Sequence, residues 1–114
     1  MLLDEAVQAG IDVELPVVVR QTNKKGDVVS ASDFVSAEFS LYSIDRIKLL
    51  TKTLSDGIVV EDVDGNSLFI ITLTDADTMS LSGLYGVDMV ILDGSGIVSM
   101  PIHNEITFKP RLGV

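Results

Sequence analysis

Residues 72–99, TLTDADTMSLSGLYGVDMVILDGSGIVS, constrain the fold of this chain more than any other stretch. From Leu84 onward, Tyr85, Val87, Met89 and Ile91 fall on one side while Gly86 and Asp88 fall on the other, the period of two of a half-buried strand. Tyr85 is therefore expected to point inward. The preceding Asp75-Ala76-Asp77-Thr78-Met79 lacks this alternation, and an acidic residue capping a turn of helix satisfies its free N–H groups. The expectation is a strand, a short helical corner and a second strand, which Asp93-Gly94-Ser95-Gly96 turns back as a third.

The rest of the chain repeats that grammar. Ile11, Val13, Leu15, Val17 and Val19 alternate with Asp12, Glu14 and Pro16. Proline cannot donate to a ladder, so Pro16 assigns this strand to a sheet edge or to a switch between sheets. Residues 21–33, QTNKKGDVVSASD, form a polar turn with Lys24-Lys25-Gly26-Asp27 at its tip. Val35, Ala37, Phe39 and Leu41 then alternate with Ser36, Glu38, Ser40 and Tyr42. Residues 47–54 carry Lys48 and Lys52 on one face, and Ser55-Asp56-Gly57 ends them. A strand at Ile58-Val59-Val60 runs to Asp64-Gly65, a strong hairpin signal, and Phe69, Ile71 and Leu73 share a face beyond it. In residues 97–109 Pro101 marks an edge or a bulge.

At 114 residues the chain is expected to be one domain over residues 11–110, with an N-terminal arm or short helix at 1–10 and a tail at 111–114. Trp is absent and the aromatic share is 5%, so Val, Ile and Leu must fill the core. A net charge of -9 lacks the clustered Lys and Arg that phosphate neutralisation needs, which argues against nucleic acid. Without cysteine there is no disulfide, thiol catalysis or thiolate metal site. The opening MLLDEAVQAG has neither a basic start nor a long apolar run, so no membrane anchoring is expected and synthesis is assigned to a cytoplasm.

No residue set amounts to a catalytic, cofactor or metal site. Asp62 and Asp64 beside Gly65 invite a calcium reading that would borrow Asp75 or Asp77, but the spacing departs from an EF-hand loop and favours a hairpin. His103, the single histidine, has no nucleophile-elbow serine in the sequence and reads as a solvated or structural residue. Gly94-Ser95-Gly96 opens a strand, unlike a phosphate loop. Arg46, Lys48 and Lys52 read as a solvated face, and Met79, Met89 and Met100 as core gap-fillers. Leu50, Leu54, Val90 and Leu92 lie opposite their strands' core sets; exposed, they would form an apolar patch pointing to assembly.

Seven strand candidates separated by turn chemistry read as an all-β, immunoglobulin-like antiparallel sandwich with a short helical corner before the sixth strand; a small closed barrel is the alternative. Tyr85 after Asp77 fits the tyrosine corner of such sandwiches. The chain also resembles the immunoglobulin-like domains of tailed-bacteriophage structural proteins, including the N-terminal domain of upper baseplate proteins. The likeness rests on NKKGD and ASDFVSAEFSLY within residues 11–42, LTKTLSDGIVVED at 50–62, residues 68–99, and EITFKP at 105–110. Where those domains continue Gly-x-Tyr-Tyr, this chain has Leu84-Tyr85-Gly86, and Met100-Pro101 interrupts a strand usually continuous. The resemblance implies a non-enzymatic virion component of baseplate, tail, neck or head fibre. Its partners would be other virion structural proteins and copies of itself, with neither nucleic acid nor membrane bound. The alternative is a bacterial surface adhesion or carbohydrate-binding module, for which Tyr42 and Phe34 are the available aromatic platforms.

Overall fold

The computed structural model describes residues 7–109. They form β1 (Val7–Gln8), β2 (Val13–Val19), β3 (Phe34–Tyr42), β4 (Lys48–Leu54), β5 (Gly57–Val63), β6 (Asn66–Leu73), β7 (Gly83–Asp93) and β8 (Val98–Lys109). A 3-10 turn at Ala31–Asp33 precedes β3, and a four-residue helix, α1 (Asp75–Thr78), precedes β7. The protein is all-β, as expected, and its strands join in the order β1-β8-β7-β3-β4-β5-β6-β2.

The sheet has a weak seam inside the strand order, between β4 and β5. β4 and β5 meet through only two parallel pairs, Thr53 with Gly57 and Leu54 with Ile58, because the chain turns a corner between them. Ser55 (φ 67°) and Gly57 (φ 99°) adopt the left-handed backbone that the corner requires. The sheet therefore consists of two halves, β8-β7-β3-β4 and β5-β6-β2, which fold toward each other. Phe34 of β3 stacks edge-on against Phe69 of β6, ring centres 5.0 Å apart, although β3 and β6 are not neighbours in the sheet. One core results: Phe39 and Leu41, Met89 and Ile91, Ile102 and Ile106 from the first half meet Leu15, Val17, Ile58, Phe69, Ile71 and Leu73 from the second. Each fully buried aliphatic or aromatic side chain contributes about 1.5–3 kcal/mol by leaving water.

The remaining edges nearly close the structure into a barrel. β1 runs parallel to β8, pairing Val7 with Phe108 and Gln8 with Lys109, while β2 lies at the far end of the strand order. Only the link from Ala9 to Asp12 joins these two edges, and Gly10 N–H donates to Thr78 Oγ1 at 3.0 Å to fasten it to α1. Val7–Gln8 is thus extended, within the stretch 1–10 where an N-terminal arm or short helix was expected; residues 1–6 and the tail at 111–114 lie outside the described part. As Pro16 requires, β2 is an edge strand paired only with β6. The Asp64-Gly65 hairpin forms, with both residues at positive φ (50° and 79°) between paired Val63 and Asn66.

Two departures from simple alternation are bulges. Phe34 pairs with Asp93 and Ser36 with Leu92, so Val35 is an extra residue. This bulge flips the phase, burying Phe34 and exposing Val35, which was expected inside. On β8, Met100 and Pro101 together face Val90, so the strand continues past its proline by bulging. Met100 is exposed as a consequence, and Met79 too sits at the surface after α1; of the three expected gap-fillers only Met89 is in the core.

Candidate functional site

The β7 strand fixes the position of its own corner. Ser82 N–H donates to the Tyr85 hydroxyl at 3.1 Å, and the Tyr85 ring packs edge-on against Phe108 at 5.6 Å, half-buried against the core. Thr74 caps α1: its hydroxyl accepts from Asp77 N–H, and its own N–H donates to Asp77 Oδ2 at 2.8 Å. Lys52 of β4 reaches across to the same carboxylate at 2.8 Å, both side chains largely buried, so it is not the solvated lysine expected. Burial alone would raise the Asp77 carboxyl, but the bonds from Lys52 and Thr74 outweigh it and hold the group below its ordinary value.

At the other end of β7, Asp93 is 2% exposed and organises the turn to β8. Its Oδ1 accepts from Ser95 N–H (2.9 Å), Ser95 Oγ (2.8 Å) and Ile97 N–H (3.0 Å), and its Oδ2 from Gln21 Nε2 (3.0 Å). Desolvation pushes this carboxyl up, and those four donors more than offset it, leaving it lowered.

The outer face of the β8-β7-β3-β4 half is polar. Ser40, Asp88 and His103 lie side by side in register across β3, β7 and β8, as do Tyr42, Gly86 and Glu105 one step along. His103 Nδ1 and Asp88 Oδ1 are 2.6 Å apart. Lys48 pairs with Glu38 at 3.4 Å and stands 5.9 Å over the Tyr42 ring. Gly86, lacking a side chain, leaves a groove of about 600 Å³ between Tyr42 and Glu105, walled by Ile44, Arg46 and Leu84. Arg46 closes the β3–β4 loop in a left-handed conformation (φ 68°), while Ser43 N–H donates to Ile47 O at 2.8 Å. A Ser–His–Asp relay needs the imidazole between hydroxyl and carboxylate, whereas here Asp88 lies between Ser40 and His103. The pair holds two strands together on a wet face, in keeping with the solvated or structural reading of His103.

The outer face of the β5-β6-β2 half is apolar. Register sets Pro16, Ile70 and Val59 in one row across β2, β6 and β5, and Val18, Leu68 and Glu61 in the next. Val18 is 65% exposed and Val59 59%, while Leu68 and Ile70 are half-covered. The patch expected from Leu50, Leu54, Val90 and Leu92 does not form, and the apolar face is made by other residues. Leu50 and Leu54 turn inward and pack on the core, and Val90 and Leu92 are half-buried on the polar half. Sequence reasoning missed this face although a signal was present: SLFIITL is apolar in both phases, so β6 had to offer Leu68 and Ile70 to the outside once Phe69 and Ile71 were buried.

The acids proposed to hold calcium do not converge. Asp64 lies at the hairpin before β6 and Asp75 and Asp77 follow its other end, some eight residues or roughly 26 Å of strand away. Asp62 Oδ1 accepts from Ala31 N–H at 2.8 Å, and Asp77 is engaged by Lys52. Phe34 is buried against Phe69 and offers no platform to a sugar. Among the described residues no three metal-ligating side chains come together, and no helix is long and apolar enough to cross a membrane. No known protein family, curated protein or solved structure matches the chain.

Proposed function

We propose that this chain is an immunoglobulin-like sandwich serving as a non-enzymatic assembly module, a structural component of a tailed-phage virion. The fold reading is supported by the strand order: β5-β6-β2 opposite β8-β7-β3-β4 repeats the pairing of the B-E-D strands against G-F-C-C′. The hydroxyl of Tyr85, bonded to backbone three residues upstream after a helical corner, supports it as well.

The observation that carries the assembly function is the apolar outer face of β5-β6-β2, where register sets Val18 and Val59, both more than half exposed, around Pro16, Leu68 and Ile70 on adjacent strands. Such a face works by being covered, with charged turns around it setting which partner fits. The virion assignment rests on the sequence resemblance described above. Co-purification with the products of neighbouring genes, read by size exclusion with light scattering, tests it; a strict monomer that captures none of them at high concentration contradicts it. The adhesion or carbohydrate reading loses its second aromatic platform with Phe34 in the core, and a glycan array that returns a ligand would restore it.

A further inference from the structure

We infer that the outer face of β5-β6-β2 is the contact between two copies of this chain, packed sheet on sheet about a two-fold axis that crosses the strands. The inference deepens the assembly reading and rests on it, by naming the face, the partner and the symmetry. The face is a row-and-column array of Pro16, Val18, Val59, Leu68 and Ile70, and sheets that stack face to face pack at about 10 Å.

What selects a second copy is the charge pattern along β2. On its outer side the strand and the residue beyond it read Glu14, Pro16, Val18, Arg20: an acid at one end, two apolar residues, a base at the other. Glu14 and Arg20 are both exposed and neither is in an ion pair among the described residues; Arg20 makes only a 3.4 Å bond to Gly65 O. A two-fold axis across the strands reverses one β2 over the other. Glu14 of each copy then faces Arg20 of its mate, Pro16 faces Val18 and Ile70 faces Leu68, so the β2 and β6 columns are their own complement. Glu61 shares the Val18 row, so the same axis sets it opposite Val59 of the mate at the β5 end of the array.

A charge-reversal cycle read by sedimentation equilibrium from micromolar to millimolar concentration tests this. The wild-type chain is expected to dimerise. Glu14→Arg and Arg20→Glu, each placing like charges opposite one another, are expected to weaken the dimer about tenfold or more, and the double variant to restore it. Val18→Lys is expected to abolish it with an unchanged circular dichroism spectrum and melting temperature; Val18→Thr serves if the lysine variant melts early. A dimer indifferent to all of these changes overturns the inference while leaving assembly through another face standing. A wild-type chain monomeric throughout overturns it also, and the assembly reading falls with it only if neighbouring gene products are not captured either.

Discussion

The two halves of the sheet share one core but present opposite outer faces. On β8-β7-β3-β4 the outward positions include Glu38, Ser40, Asp88, His103 and Glu105, tied together by an ion pair and a 2.6 Å His–Asp contact, with Leu84, Val90 and Leu92 among them. On β5-β6-β2 the corresponding positions hold Pro16, Val18, Val59, Leu68 and Ile70. Both faces arise from period-two strands over the same interior, so the difference is not needed to fold the chain. It tells the face that water satisfies from the face that water does not, and the second is where a partner lowers the free energy by covering apolar area.

The sharpest break of that comparison is a substitution in the interior both halves share. Phe69→Ala is expected to cost about 3–5 kcal/mol, because Phe69 is fully buried and bridges to Phe34 across the core; chemical denaturation measures it, and a loss near that of a surface residue would mean the halves do not meet there.

Next in size is the tie from the polar half to α1. Lys52→Met is expected to cost about 1–2 kcal/mol near neutral pH, since it leaves the Asp77 carboxylate without its cation. Asp77 has a folded value below its ordinary 3.8, so the native state binds fewer protons than the unfolded chain. Its contribution is whole above that ordinary value and fades as pH falls through the depressed one. Melting temperatures followed from neutral pH into acid should therefore drop less steeply in Lys52→Met than in wild type; parallel curves would contradict the pairing.

Tyr85→Phe removes only the hydroxyl that accepts from Ser82 and is expected to cost about 1 kcal/mol, while the edge contact with Phe108 persists. The smallest effects separate the two faces. His103→Gln on the polar side and Val59→Thr on the apolar side are each expected to change stability by about 0.5 kcal/mol or less, yet only the second should weaken self-association.

Most of the fold was legible because strand chemistry is local. The alternation at Tyr85, Val87, Met89 and Ile91, the Asp64-Gly65 turn, the edge proline Pro16 and the acidic cap before β7 all act within a few residues, and each is found where the sequence puts it. What escaped depended on partners distant in the chain. The bulge at Val35 answers to Asp93 and Leu92 some sixty residues on, a register that no pattern within β3 encodes. Lys52 was read as solvated because Asp77 reaches it only through the fold. The apolar face was assigned to the wrong half for the same reason: Leu50 and Leu54 look outward by the pattern of β4 alone, but pairing with β3 sets Leu50 opposite buried Leu41 and turns that side of β4 onto the core. The candidate site is the least legible part, since outward apolar residues acquire meaning only when register lines them up across three strands.

The most direct measurement is a concentration series of methyl NMR spectra on the labelled chain. The account predicts that the methyl signals of Val18, Val59, Leu68 and Ile70 shift together as concentration rises, while the His103 ring signals on the opposite face stay fixed. Shifts centred on His103 and the Tyr42 groove, with Val18 and Val59 unmoved, would contradict it.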